Sequence, residues 1–193
     1  MTGHVCGFGK TGFAIENEIG TDRGTREAML DRAMGPGRKR KSSEKLRRGM
    51  LPSSGLAFVA RDSNGTLIGS VRLWDVAAGG RQLLLLGPLA VASEVAGRGI
   101  GSALMRHAID RATELGHGAI MLVGDAAYYS RFGFSVEKTG GLIMPGPVER
   151  SRLLGCELLP GYLDEVAGLL VPNGRLAPAF VRRTRSARLM RVA

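Results

Sequence analysis

The chain has 193 residues, 44% of them hydrophobic and 23% charged, and carries a formal net charge of +10. That length allows one domain with a sizeable core, and no apolar run approaches the roughly 20 residues that span a bilayer. Cys6 and Cys156 form neither a disulfide framework nor a metal-ligand spacing, and the N-terminus lacks a secretory pattern, so no metal and a reduced, cytoplasmic setting are expected.

The charge is concentrated. Arg38, Lys39, Arg40, Lys41, Lys45, Arg47 and Arg48 form one basic cluster, relieved by Glu44. Arg175, Arg182, Arg183, Arg185, Arg188 and Arg191 form another with no acid among them, which leaves the rest of the chain close to neutral. Such clusters suit nucleic acid, an acidic substrate or anionic lipid, and equally a solvated loop and tail. Neither interleaves aromatics with its bases, which argues against binding single strands by base stacking.

In chain order, residues 1–12 are glycine-rich and are expected to form a flexible N-terminal segment. The alternation of Phe13, Ile15 and Asn17 predicts a strand. Thr21 or Asp22 caps a helix to about Met34, with Met29, Leu30 and Ala33 on its apolar side, and Gly35-Pro36-Gly37 stops it. A shorter helix is expected over 42–48, capped by Ser42 or Ser43 and anchored by Leu46. Residues 56–61, 66–77 and 81–91 read as a meander turned at Asp62-Ser63-Asn64-Gly65 and Ala78-Gly79-Gly80. Pro88 has no N–H, so a bulge or splay is expected at Gly87-Pro88, with unpaired main-chain groups nearby. From Ile100, apolar residues recur at helical spacing as far as Gly116. Residues 119–123 read as a buried strand, 126–131 as a short helix ended by Gly133, and 134–138 and 153–159 as further strands. Residues 163–170 are ambiguous between strand and helix. The whole is an α/β (α+β mixed) domain with helices packed on a mixed sheet, expected over 13–172, with 173–193 a basic C-terminal tail.

Gly97-Arg98-Gly99-Ile100-Gly101 sits where a strand hands over to a helix. Unpaired N–H groups and the positive dipole end meet there, and glycines let the backbone curl around an anion. Arg98 adds a charged donor at the rim. A pyrophosphate fits such a turn, but so does a plain strand–helix connection. The stretch is not a Walker A loop, because no Gly-Lys-Ser/Thr follows, and it is a poor dinucleotide fingerprint, with Ser102 where the third glycine belongs. On the residues alone, Tyr129 reads as a core aromatic beside Tyr128, Phe132 and Phe134.

Taken with Tyr128-Tyr129-Ser130-Arg131-Phe132-Gly133-Phe134, the turn resembles that of the GNAT superfamily of acyl-CoA-dependent N-acetyltransferases, over roughly residues 13–147. The family's Arg/Gln-x-x-Gly-x-Gly/Ala signature falls on Ala96-Gly97-Arg98-Gly99-Ile100-Gly101, with Ala96 departing from the usual first residue. Its tyrosine, five residues before the Phe of a Gly-Phe pair, falls on Tyr129. Asp125 stands where many members carry Asn. Residues 86–91, 124–129 and 144–147 are similar to a subgroup of predicted bacterial acetyltransferases with undefined substrates.

The resemblance implies a splayed sheet, open between the strands that carry Leu89 and Leu122. It implies acetyl-CoA as cosubstrate. The pantetheine would pair with the main chain of Leu89, Ala90 and Val91, and the pyrophosphate would sit on Gly97, Arg98, Gly99, Ile100, Gly101 and Ser102. An amine would attack the thioester directly, and Tyr129 would protonate the departing sulfur. The implied acceptor is a small-molecule or peptide amine. Nucleic acid and membrane are not expected as partners, and a homodimer is compatible with the chain. Asp75 and Glu94 are the acids near the expected end of the sheet, and neither is preferred over a water relay as general base. Trp74 is placed in an acceptor pocket or in the core, His107 at a helix boundary and His117 in a turn. Two other accounts remain. One is a silent acyl-CoA-binding sensor, suggested by Ala96, and the other is a basic nucleic-acid-binding protein.

Overall fold

The hairpin chemistry read above builds the first half of the sheet. The computed structural model describes residues 12–178, so the N-terminal segment 1–12 other than Gly12, and the tail beyond Pro178, lie outside it. In chain order the elements are β1 Phe13–Asn17, α1 Arg23–Met34, α2 Ser42–Arg47, β2 Ala57–Asp62, β3 Leu67–Ala78, β4 Arg81–Val91 and α3 Ile100–Glu114. They continue with β5 Ala119–Val123, α4 Ala126–Tyr129, β6 Leu142–Ile143, β7 Leu153–Glu157, β8 Gly168–Leu169 and β9 Val171–Pro172. The main sheet runs β1-β2-β3-β4-β5-β7, with β9 added to β3, and β6 and β8 form a small separate pair. β4 and β5 are parallel and the other pairs of the main sheet antiparallel.

The β2–β3 turn is closed by Asp62, whose Oδ1 accepts the N–H groups of Asn64 and Thr66, both at 2.9 Å. Both faces of the sheet are covered. On one, Ile100, Leu104 and Met105 of α3 pack on Phe58, Val71 and Leu73. The other carries a core that includes Leu46, Trp74, Leu85, Met121 and Leu153.

α1 packs Met29 and Leu30 against Val59, Leu67 and Ala90. Its buried stripe extends to Arg26, which is 2% exposed, whereas Ala33, expected on the apolar side, is exposed. Arg26 is buried because Glu18 and Glu27 pair with it. Two expected caps are absent. Asp22 precedes α1, but its carboxylate accepts from Ile19 N–H at 3.0 Å and from Arg61 at 2.6 Å. Ser42 lies inside α2, after Lys41 at the cap position, and its hydroxyl donates to the Pro147 carbonyl.

The strand expected over 134–138 is reduced to a single bridge between Ser135 and Gly155. The Ser135 hydroxyl accepts Glu137 N–H at 3.1 Å, and the Thr139 hydroxyl lies 2.8 Å from both the Val136 and Leu153 carbonyls. Those local bonds turn residues 137–139 into a 3₁₀ segment. The ambiguous stretch 163–170 holds no helix: it is turn over 163–165 and contributes the two-residue β8. Past β9, Asn173 N–H donates to the Asp75 carbonyl, Leu51 N–H to Arg175 and Ala177 N–H to Gly49, at 3.0, 2.7 and 2.8 Å.

The feature that positions the site is a split in the sheet. β4 pairs with β5 only at Leu84–Ile120 and Leu85–Met121. Beyond them β4 keeps its β3 neighbour and has no ladder partner on the other side among the described residues. The register with β3 slips between Val71–Leu89 and Leu73–Leu86, which puts the bulge at Gly87-Pro88, the position Pro88 predicts. Trp74 secures it, donating its indole N–H to the Gly87 carbonyl at 2.5 Å. No helix among the described residues is long and apolar enough to cross a membrane.

Candidate active site

The turn after β4 is made of backbone. Gly97 and Gly99 take φ of +80° and +79°, which side chains with a Cβ rarely adopt. Gly101 is helical, and the constraint there is space. A Cβ would lie 3.5 Å from the Tyr128 hydroxyl, 3.6 Å from Val91 and 3.8 Å from Leu89. The first bond from α3 to its cap is Ala103 N–H to Gly99 O at 2.9 Å. The N–H groups of Ile100, Gly101 and Ser102 therefore have no partner among the described residues, the arrangement that receives an anion.

Leu89, Val91, Gly97, Gly99, Ile100, Gly101 and Ser102 line one groove of about 440 Å³. Two residues named with them do not. Arg98 is exposed at the turn, and Ala90 is buried with the Met29–Leu30 cluster, so only its main chain is available to a ligand. The groove also takes in Tyr128 and Arg131, which the sequence reading did not assign. Arg131 donates from Nε to the Tyr128 carbonyl at 2.9 Å, and its guanidinium carbon stacks 4.1 Å from the Tyr128 ring centre. It brings to the groove the cation expected from Arg98. The signal available was the three-residue spacing of Tyr128 and Arg131, which shares one face of a helical turn.

On the far side of Leu89 lies a second cavity of about 100 Å³. Its walls are the bulged strand from Leu86 to Leu89, Leu122 and Tyr129, faced by Arg38, Lys41 and Arg47 from the basic cluster. α4 places the tyrosine. Asp125 caps that helix by accepting Ala127 N–H at 3.1 Å, and the Tyr129 ring lies over Gly124, where a Cβ would come within 2.2 Å of it. Tyr129 meets Tyr128 edge-on at 4.9 Å and Phe134 at 6.1 Å between ring centres. Its hydroxyl makes no hydrogen bond among the described residues. Burial, and then Tyr128 beside it, push this phenol above its ordinary value, so it stays protonated at neutral pH.

The basic cluster is partly an internal structure. Arg38 is 8% exposed and bonds Asp31 and Glu27, both at 2.6 Å. Glu27 also takes Arg26 at 2.7 Å, and Glu18 pairs with both Arg26 and Arg72. Burial pushes the Glu27 carboxyl up, but the hydrogen bonds from Arg26 and Arg38 overcome it and hold the group at about 2. Of these charges Arg26, Glu27, Arg38 and Arg72, with Trp74 and Arg47, line a third cavity of about 100 Å³ behind the bulge. Lys39, Arg40 and Arg48 remain exposed.

Asp75 and Glu94 line none of these three cavities. His107 packs edge-on to Phe58 at 4.5 Å between ring centres, and burial lowers its pKa. No group of His, Cys, Asp and Glu among the described residues could hold a metal ion.

A mixed sheet that parts beside a glycine turn, with a tyrosine across the gap, defines the acyl-CoA transferase architecture that the sequence resemblance implied. The chain belongs to the GNAT acetyltransferase family, whose family model matches residues 26–134. Over 158 residues it is 32% identical to the uncharacterized N-acetyltransferase YhbS of Escherichia coli strain K12, covering 81% of this chain and 93% of YhbS. The fold agrees with the crystal structure of Escherichia coli YhbS in complex with CoA at a TM-score of 0.73, with 29% identity, over 86% of this chain and 93% of that one. A GNAT family acetyltransferase from Brucella melitensis, in complex with acetyl-CoA, shares the fold at a TM-score of 0.60 and 24% identity, over 83% of this chain and 96% of its own.

Proposed function

We propose that the protein is an acetyl-CoA-dependent N-acetyltransferase that moves the acetyl group to an amine by direct attack. One observation carries the reading. Leu89 is a shared wall, with three unpaired N–H groups on one side and the Tyr129 cavity on the other. In this reading the pyrophosphate sits on the N–H groups of Ile100, Gly101 and Ser102. The pantetheine runs along the unpartnered edge of β4 at Leu89, Ala90 and Val91, and the thioester reaches the gap beside Leu122. The CoA-bound YhbS and the acetyl-CoA-bound Brucella protein support this choice of cosubstrate.

The amine lone pair attacks the thioester carbon, and main-chain N–H near Leu89 or Val91 stabilises the oxyanion. The C–S bond then breaks, and Tyr129 gives its proton to the sulfur. Reference values near 10 for a phenol and 8.5 for a thiol make that transfer uphill by about 2 kcal/mol, and the raised Tyr129 value adds to the cost while ensuring the proton is present. Freeing a lysine-like amine of its proton at neutral pH costs about 4 kcal/mol more. Glu27, held at about 2, is too weak a base to take it, and we assign that step to water. The acceptor is a small molecule or peptide amine, and the setting is the reduced cytoplasm.

The test is calorimetry with acetyl-CoA, followed by release of free CoA across polyamines, amino acids, aminoglycosides and lysine peptides. Binding with turnover of at least one class supports the reading. Folded protein that does not bind acetyl-CoA ends it, and binding without turnover of any amine favours an acyl-CoA sensor.

A further inference from the structure

The cavity beside Tyr129 holds a cation whose bonding is incomplete. The Arg47 side chain is 10% exposed. Its Nη2 lies 3.2 Å from Glu44 and 3.3 Å from the Ser43 hydroxyl. Its Nε is buried without a partner, and its Nη1 makes no hydrogen bond among the described residues. Nη1 comes to 3.9 Å from where a Cβ on Gly87 would stand, so this terminal nitrogen meets the bulge. A buried Nε left without a partner is unusual, because buried donors are nearly always matched. Burial also pulls Arg47 below its ordinary pKa, and Glu44 offsets that only in part.

The charges around it are arranged unequally. Among the described residues no acid lines the Tyr129 cavity, although Arg38, Lys41 and Arg47 do. Two of the three acids that partner this cluster, Glu27 and Glu44, line the other cavity, behind the bulge, and the third, Asp31, lines neither. Arg38 gives its Nε to Asp31 and its Nη2 to Glu27, so the donors without a hydrogen bond among the described residues are Arg38 Nη1, Arg47 Nε and Nη1, and the exposed Lys41. The phosphate turn lies across Leu89 and shares no other lining residue with this cavity, so the CoA phosphates do not account for them.

We propose that the Tyr129 cavity is a carboxylate subsite, with Arg47 as the recognition residue, and that the acceptor is an amine carrying a carboxylate close to its nitrogen. Nη1, the terminal nitrogen of Arg47 with no partner among the described residues, can donate to one carboxylate oxygen, and Lys41 on the same cavity wall can donate to the other, while Nε–H points to the Nη2 side. The cavity, at about 100 Å³, has room for only a few water-sized groups. Arg47 and Tyr129 both line it, so amine and carboxylate must be near neighbours, as in an amino acid, and a lysine inside a protein does not meet that condition. This deepens the acetyl-transfer reading and rests on it.

The experiment compares amino acids with their carboxamides by free CoA release, in the wild type and in Arg47→Gln and Arg47→Lys. It adds thermal shift with propionate, using propionamide as control, at constant ionic strength. Carboxamide amines are the less basic, so reactivity at neutral pH favours them, and a preference for the acid reports the site. We expect wild type to favour the acids by about tenfold or more in kcat/KM, Arg47→Gln to erase this through KM, and Arg47→Lys to keep part of it. Propionate should raise the melting temperature of wild type but not of Arg47→Gln, and propionamide should raise neither. Retained acetyl-CoA affinity shows that Arg47→Gln is folded, and if it is lost, Arg47→Lys carries the comparison. Carboxamides used as well as acids, or a propionate response equal in wild type and variant, overturn the proposal. So does a preference for succinyl-CoA over acetyl-CoA that Arg47→Gln removes, because it moves the carboxylate to the acyl chain. If acetyl-CoA does not bind but the propionate response still depends on Arg47, the transfer reading fails and the subsite stands. Acetyl transfer with no propionate response gives the reverse.

Discussion

The two sides of Leu89 are built from different materials. The groove side is main chain: two left-handed glycines, three unpaired N–H groups and a helix start, all within residues 89–102. The cavity side is side chains: guanidinium groups from the segment 38–47, a bulged strand at 86–89 and a tyrosine at 129. A main-chain site does not titrate and loses function only when the backbone moves or a side chain fills it. A site of paired charges responds to every partner it holds, and to pH.

The comparison breaks most sharply at the seam. Tyr129→Phe keeps the ring over Gly124 and removes only the proton donor, so kcat should fall by about tenfold or more while the acetyl-CoA Kd moves by less than about threefold. Tyr128→Phe should do the opposite on a smaller scale, because Tyr128 lines the groove toward Gly101. Steady-state kinetics with an identified acceptor, plus calorimetry, separate the two. Unchanged turnover in Tyr129→Phe would remove it as the acid and leave water or substrate to protonate the sulfur.

On the main-chain side, Gly101→Val should weaken acetyl-CoA by about tenfold, because its branches enter a groove bounded by Leu89, Val91 and Tyr128. Gly101→Ala should bind much closer to wild type, since a lone Cβ there finds ordinary contact distances. Gly99→Ala tests the other reason for glycine. It has open space but a φ of +79°, so it should cost about 1 kcal/mol of stability. Equal affinity in wild type and Gly101→Val would move the phosphate site elsewhere.

This division also explains what was legible in the sequence. The turn could be read because its chemistry is local: glycine at fixed spacing, and a proline that cannot sit in a ladder. Pro88 located the bulge, and the apolar run at 119–123 located the strand that parts from it. The cavity side resisted reading because its partners are distant in sequence. Nothing in Arg38 or Arg47 announces burial until Glu27, Asp31 and Glu44 are folded beside them, so the cluster read as a solvated loop as readily as a site. The strand expected at 134–138 fails for a local reason instead. Apolar periodicity favoured it, but the hydroxyls of Ser135 and Thr139 compete for the backbone. Arg131 was missed because the rim charge was sought on the turn itself, at Arg98.

A smaller effect concerns residues 173–178. The expected boundary is Pro172, yet Leu51 N–H bonds the Arg175 carbonyl and Ala177 N–H bonds Gly49. These bonds tie the chain to the loop that follows α2, and through it to the cavity side. Truncation after Pro178 should keep the melting temperature within a few degrees and keep acetyl-CoA affinity. Truncation after Pro172 should lower the melting temperature further, again with the groove unaffected. Thermal melts with and without acetyl-CoA read both. Equal melts for the two truncations would show that the segment adds nothing.

The smallest effect belongs to Glu27, and its sign follows from linkage. Its carboxyl lies at about 2 in the folded chain against 4.5 as an ordinary value. A depressed carboxylate stabilises the fold fully above its unfolded value, and the contribution is lost as pH falls through the folded one. Glu27→Gln should therefore destabilise at neutral pH, and the gap to wild type should close as the pH drops from about 4.5 toward 2. The side chain is 35% exposed, so solvent screening brings the neutral-pH effect down to roughly 1 kcal/mol. Arg26 keeps Glu18 and Arg38 keeps Asp31, which also limits the loss. Acetyl-CoA affinity should not follow this titration, because the groove holds its anion with main-chain N–H groups that carry no titratable proton. Urea melts at a series of pH values, set beside calorimetry at the same values, measure the two sides together. A wild-type–variant gap that stays constant down to pH 2, or an acetyl-CoA affinity that falls with Glu27→Gln, would mean that the two sides of Leu89 are not independent.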